Sequence, residues 1–88
     1  MNWEIRYRSS VEKDVDRLPP DVRSVVLRTL AGLISDPFPQ GTRKLSGPES
    51  RFRLRVAGSY RIVYKVFKVD HLIKIEFVGH GKDADRWF

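Results

Sequence analysis

Seven basic side chains, Arg43, Lys44, Arg51, Arg53, Arg55, Arg61 and Lys65, fall between residues 41 and 65 against a single acid, Glu49. The segments on either side are each neutral, so this stretch carries the whole formal charge of +6. A basic segment confined to one part of a small chain points to a polyanion (RNA, DNA or an acidic protein), and the alternative is a solvated strand face. Guanidinium groups suit phosphate, because each planar fork donates paired hydrogen bonds and stays charged at any cellular pH. Phosphoryl chemistry is the natural candidate. In RNA cleavage by 2′-hydroxyl attack the phosphate gains charge in the transition state, and fixed cations favour that state over the ground state. Arginine is no general base, and only His71 and His80 titrate near neutrality. His71 lies in an expected turn and is the weaker candidate. His80 closes the last expected strand between Gly79 and Gly81, where the backbone is open to a ligand. Its alternative reading is a partly exposed strand-end residue. The terminal aromatics Trp87 and Phe88 either close over the core or stack on a base.

Other chemistries lack their residues. There are no cysteines, hence no disulfides, thiol nucleophiles or cysteine-based zinc sites. No Gly-rich phosphate loop follows a strand, no Ser-His-Asp arrangement is suggested, and two isolated histidines give no metal-ligand set, so neither metal nor cofactor is expected. No apolar run reaches the roughly 18 residues of a membrane span, and the start, MNWEIRYR, has no signal-peptide shape. The chain reads as soluble and cytoplasmic. Its 88 residues, 41% of them hydrophobic, read as one domain over residues 1–88.

The elements that must position these residues follow from periodicity. Trp3, Ile5 and Tyr7 alternate with Glu4, Arg6 and Arg8, the pattern of a half-buried strand. Ser9 to Glu12 has the spacing of a capping box, and Val11, Val15 and Leu18 continue at helical spacing up to Pro19-Pro20. Pro20 and Asp21 suit the first turn of a second helix, whose stripe runs from Val22 through Val26, Leu30 and Leu33 to Ile34. Residues 40–51 read as a polar loop. Three strands follow: one carrying Phe52, Leu54 and Val56 against Arg53 and Arg55, a turn at Ala57-Gly58-Ser59, then Tyr60 to Phe67, then Leu72 to Val78. In the last, Ile73, Ile75 and Phe77 are expected on one face and Lys74 and Glu76 on the other. Trp3, Tyr7, Phe52, Phe77, Tyr60 and Tyr64 are expected in the core.

The fold expected is α+β, in the order β-α-α-β-β-β, with a helical hairpin packed on one side of a mostly antiparallel four-stranded sheet. Alternation places Arg53, Arg55 and Arg61 on the face away from the helices, within reach of one another, with Lys65 on the same face.

Four segments carry a resemblance: Arg43-Lys44-Leu45-Ser46-Gly47, Phe52-Arg53-Leu54-Arg55-Val56, Tyr60-Arg61-Ile62-Val63-Tyr64 and Val78-Gly79-His80. Together with the element order, they resemble the RelE/ParE superfamily of bacterial and archaeal toxins across nearly the whole chain. Members similar to RelE are ribosome-dependent endoribonucleases that cut mRNA, each neutralised by an antitoxin; members similar to ParE poison DNA gyrase. The resemblance implies a type II toxin whose partners are a cognate antitoxin, the ribosome with its rRNA, and mRNA. The alternatives are a gyrase inhibitor and a catalytically weak relative that mainly binds its antitoxin. On the RelE pattern Arg53, Arg55 and Arg61 fall on the basic residues that clamp the scissile phosphate. Gly81 stands where an arginine is common, and Trp87 stands near the usual C-terminal tyrosine. The catalytic set implied is Arg53, Arg55, Arg61 and His80, with Arg43, Lys44, Arg51, Lys65, Lys82 and Trp87 as RNA-binding residues.

Overall fold

The computed structural model describes residues 2–45, 47 and 50–84. Trp87 and Phe88, and with them the expected base-stacking ring, lie outside the described residues. The elements are β1 (Glu4–Tyr7), α1 (Val11–Asp16), α2 (Pro20–Leu33), β2 (Thr42–Lys44), β3 (Arg51–Val56), β4 (Tyr60–Phe67), β5 (Leu72–His80) and α3 (Gly81–Ala84). The α+β layout is the one expected, with one more strand and one more short helix. The sheet order is β1-β5-β4-β3-β2, antiparallel except for the β1–β5 pair. No helix is long and apolar enough to cross a membrane among the described residues.

The helical hairpin forms where the prolines require it. Pro19 caps α2 and Pro20 takes its first turn, where its missing N–H is an orphan in any case. Arg23 then reaches back to the end of α1, donating from Nε to the carbonyl of Val15 and from Nη2 to those of Asp16 and Leu18. These carbonyls lie at and just beyond the end of α1, so one side chain from α2 ties the hairpin together. The capping box does not form. Ser10 is the N-cap and makes no side-chain cap hydrogen bond, and Val11 N–H donates to the carbonyl of Arg8.

The main core lies between the hairpin and one face of the sheet. Val11, Leu18, Val26, Leu30 and Leu33 meet Leu54, Val56, Ile62, Tyr64, Val66, Ile73, Ile75 and Val78. Trp3, Phe52 and Tyr60 pack against it as expected, but Tyr7 is 52% exposed at the end of the edge strand. Tyr64 is fully buried, its hydroxyl donating to the carbonyl of Pro37 at 2.7 Å and lying 3.3 Å from the Thr42 hydroxyl. Burial raises the pKa of this phenol, the charge of Asp36 adds to the rise, and the Thr42 hydrogen bond opposes it. Its contribution to stability is therefore complete below the pKa of the unfolded phenol and is lost as pH climbs toward the folded value. Tyr64→Phe is expected to cost about 0.5–1.5 kcal/mol at neutral pH. In denaturant titrations repeated up to strongly alkaline pH, it should also lessen the alkaline loss of stability seen in the parent.

One irregularity redirects β5. Tyr64 pairs with Ile75 and Val63 with Phe77, so Glu76 is an extra residue, a β-bulge. Phe77 is thereby turned away from the main core, contrary to strict alternation. It packs instead with Val63, Leu45 and Ala84 in a second small cluster beneath α3. The face opposite the helices is therefore partly covered, and only its remainder is available for binding.

Candidate functional site

Loop 40–51 contains the short strand β2, which decides where its two cations go. Arg43 pairs in register with Arg53, and Lys44 with Phe52. Directly opposed residues share a sheet face, so Arg43 joins the arginine face while Lys44 sits at the edge on the helical side. Across the next pair of strands Arg55 stands directly opposite Arg61. Two like-charged cross-strand pairs thus lie side by side, an arrangement that destabilises a sheet. Arg43, Arg53, Arg55 and Arg61 line one concavity. A second, of about 390 Å³, is shared by Arg53, Arg55 and Arg61 with His80, Gly81 and Lys82.

The β3–β4 turn holds Arg61 in place. Ala57 and Gly58 have φ of 47° and 75°, a left-handed pair that turns their carbonyls toward the strand end. Arg61 Nη1 donates to the carbonyls of Gly58 (3.1 Å) and Tyr60 (2.9 Å). The start of α3 closes in from the other side, where Gly81 N–H donates to the Ser59 carbonyl at 2.8 Å. A Cβ at Gly81 would lie 3.3 Å from that carbonyl oxygen and 3.5 Å from Arg61 Cζ. The glycine at the position where the resemblance expects an arginine thus fits closely against the Ser59 carbonyl, while a Cβ there would make only ordinary contact with the Arg61 guanidinium. Sequence reasoning missed this role of Gly81, although its position directly after His80 was the available signal.

His80 ends β5 opposite Tyr60, with the two rings 5.6 Å apart and edge to face. The main-chain N–H of Lys82 donates to His80 Nδ1 at 3.2 Å, which puts the single proton of the neutral ring on Nε2. His71 is remote from this region in chain and register; its ring stacks on Trp3 at 3.9 Å.

Not every expected cation gathers here. Arg51 Nε donates to Glu76 Oε1 at 2.7 Å, and the two side chains are 22% and 8% exposed. The ion pair holds the bulge residue, so Arg51 is placed structurally and lines neither arginine concavity. Lys65 is the register partner of Arg51 and Lys74 and lines a separate depression beside the β4–β5 turn. The assembled set is Arg43, Arg53, Arg55, Arg61, His80 and Lys82. Its fixed positive charge suits an RNA or other polyphosphate backbone, and its one imidazole can carry a proton.

No sequence-family model matches the chain, and no curated protein matches it by sequence. Solved structures do. The RelE–RelB complex from Pyrococcus horikoshii OT3 aligns at 25% identity and a TM-score of 0.76, covering 91% of this chain and 96% of that one. The RelBE2 toxin–antitoxin complex from Mycobacterium tuberculosis aligns at 22% identity and a TM-score of 0.76, covering 91% and 99%. A mutant of the E. coli toxin RelE in the free state aligns at 20% identity and a TM-score of 0.79, covering 99% and 92%. The helical hairpin on a mostly antiparallel sheet is thus a known architecture: the chain is RelE-like, aligning with these three RelE structures over 91–99% of its length.

Proposed function

We propose that this chain is the toxin of a type II toxin–antitoxin system and acts as a ribosome-dependent endoribonuclease that cuts mRNA. The observation that carries the reading is the two cross-strand arginine pairs, Arg43 with Arg53 and Arg55 with Arg61, set beside His80. Guanidinium groups gathered on one strand face present paired donors and fixed positive charge to a phosphate backbone. In this reading Arg53, Arg55 and Arg61 hold the scissile phosphate and its flanks. Arg61, already fixed by two carbonyls, stabilises the charge that grows on the non-bridging oxygens without having to reorganise. His80, oriented through Nδ1, moves a proton at Nε2. Arg43, Lys44, Lys65 and Lys82 contact rRNA or mRNA backbone, and Trp87 stacks on a nucleotide. Solved relatives bound to RelB antitoxins support a cognate antitoxin as partner, with acidic side chains set against the arginine face.

The test is single-turnover cleavage on programmed ribosomes. The chain should cut mRNA in the decoding site, and His80→Gln should slow the cut by about 10²–10⁴-fold and flatten its pH dependence near neutrality. Intact mRNA, accompanied in cells by gyrase-dependent DNA breaks, would instead establish a gyrase inhibitor of the same fold. An unchanged pH profile in His80→Gln would remove the imidazole from the chemistry.

A further inference from the structure

Strand β1 ends at Tyr7, opposite Ile75, so among the described residues no strand runs along the outer side of β5 from Glu76 to His80. Helix α1 lies there instead, and Asp14 Oδ2 accepts the outward N–H of Val78 at 3.2 Å. Between α1 and this edge is a cleft of about 660 Å³, within the range of small-molecule sites. Asp14 and Arg17 line it from α1, and the rings of Tyr60 and His80 line it from the sheet. His80 lines both this cleft and the arginine concavity, so the two sites adjoin.

We infer that this cleft takes the base of a nucleotide adjoining the phosphate held by the arginines, and that the base it selects is guanine. The inference rests on the ribonuclease reading for its substrate. Single-stranded RNA is commonly read by splaying a base onto aromatic rings and hydrogen-bonding its Watson–Crick edge, and the cleft provides rings and polar groups together. The selection comes from Asp14. An ionised carboxylate only accepts hydrogen bonds, and the Val78 N–H fixes this one in place. Guanine offers it two adjacent donors, N1–H and N2–H, with the O6 acceptor beside them for the Arg17 guanidinium. Adenine and cytosine each set one donor beside an unprotonated ring nitrogen, which the carboxylate repels. Uracil sets one donor between two carbonyls. Of the four bases, guanine alone offers two adjacent donors with an acceptor beside them, which suits an acid and an arginine three residues apart on one wall.

The experiment titrates the ¹⁵N-labelled chain with guanosine, inosine and adenosine 5′-monophosphates and follows the amides of Val78 and His80. Guanosine monophosphate should shift both in a saturable way. Inosine monophosphate, lacking the 2-amino group, should bind at least about tenfold more weakly, and adenosine monophosphate should bind no better than inosine. Asp14→Asn retains an oxygen for the Val78 N–H and presents an amide donor, so it should abolish the guanosine preference without disturbing the fold. Equal responses to the three nucleotides, or shifts confined to the arginine face, would overturn the inference. The two readings fail separately. Guanosine selection in a chain that leaves mRNA intact refutes the nuclease alone, and cleavage without that selection refutes the cleft alone.

Discussion

Arg61→Ala is expected to lower the rate of mRNA cleavage by about 10²–10³-fold while ribosome association persists. The side chain is held before substrate arrives by the carbonyls of Gly58 and Tyr60. A charge positioned in advance acts most strongly on the state in which new charge appears, so its loss falls on the chemical step. Docking is different: it sums over many phosphate contacts, of which Arg43, Arg53, Arg55 and Lys82 remain. Single-turnover cleavage and co-sedimentation with ribosomes, measured on the same variant, separate the two effects. A variant rate equal to that of the parent would show that the arginine face binds without catalysing.

The second large effect concerns stability. Arg51→Ala leaves Glu76, only 8% exposed at its side chain, without the partner that lies 2.7 Å away. Breaking a buried ion pair costs about 3–5 kcal/mol, and the 22% exposure of Arg51 places this case toward the lower end. For a domain of this length, that lowers the melting temperature by about 10 °C or more. The double substitution Arg51→Met with Glu76→Leu removes both charges and should recover most of the loss, since apolar replacement of a buried pair is often neutral or stabilising. Thermal unfolding of the single and double variants tests this. RNA binding by the double variant then decides the role of Arg51: an unchanged salt dependence fits a structural ion pair, and a slope smaller by about one unit would restore Arg51 to the RNA contacts.

The sequence revealed what periodicity can carry. Strict alternation at Phe52–Val56 and Tyr60–Val66 places the apolar residues under the helices and Arg53, Arg55 and Arg61 opposite them, as found. Pro19-Pro20 likewise marks the break between the helices. What stayed hidden depends on contacts distant in sequence. Three residues between Gly41 and the loop that follows are too few to show a strand period, so β2 and the partnership of Arg43 with Arg53 were invisible. Arg51 looked like its basic neighbours because the acid that holds it lies 25 residues further along the chain. The capping box failed for a local reason, since the Arg8 carbonyl took the Val11 N–H and the helix started one residue later than the Ser9–Glu12 spacing required.

The bulge at Glu76 also bears on which genetic changes this fold can absorb. It acts as a phase shifter in β5: everything before it is read in one parity and everything after it in the other. Point substitutions along the strand therefore have graded consequences, each limited to the side chain replaced. A change of strand length depends on where it falls. Without Glu76, Ile75 stays opposite Tyr64 and Phe77 opposite Val63, so Phe77, Val78 and His80 keep their faces and the loss falls on the ion pair to Arg51. A residue inserted after Phe77 would instead carry Val78, Gly79 and His80 to the opposite faces at once. Insertions among functional descendants should accordingly concentrate in the β2–β3 and β4–β5 connections and spare β5 beyond Phe77.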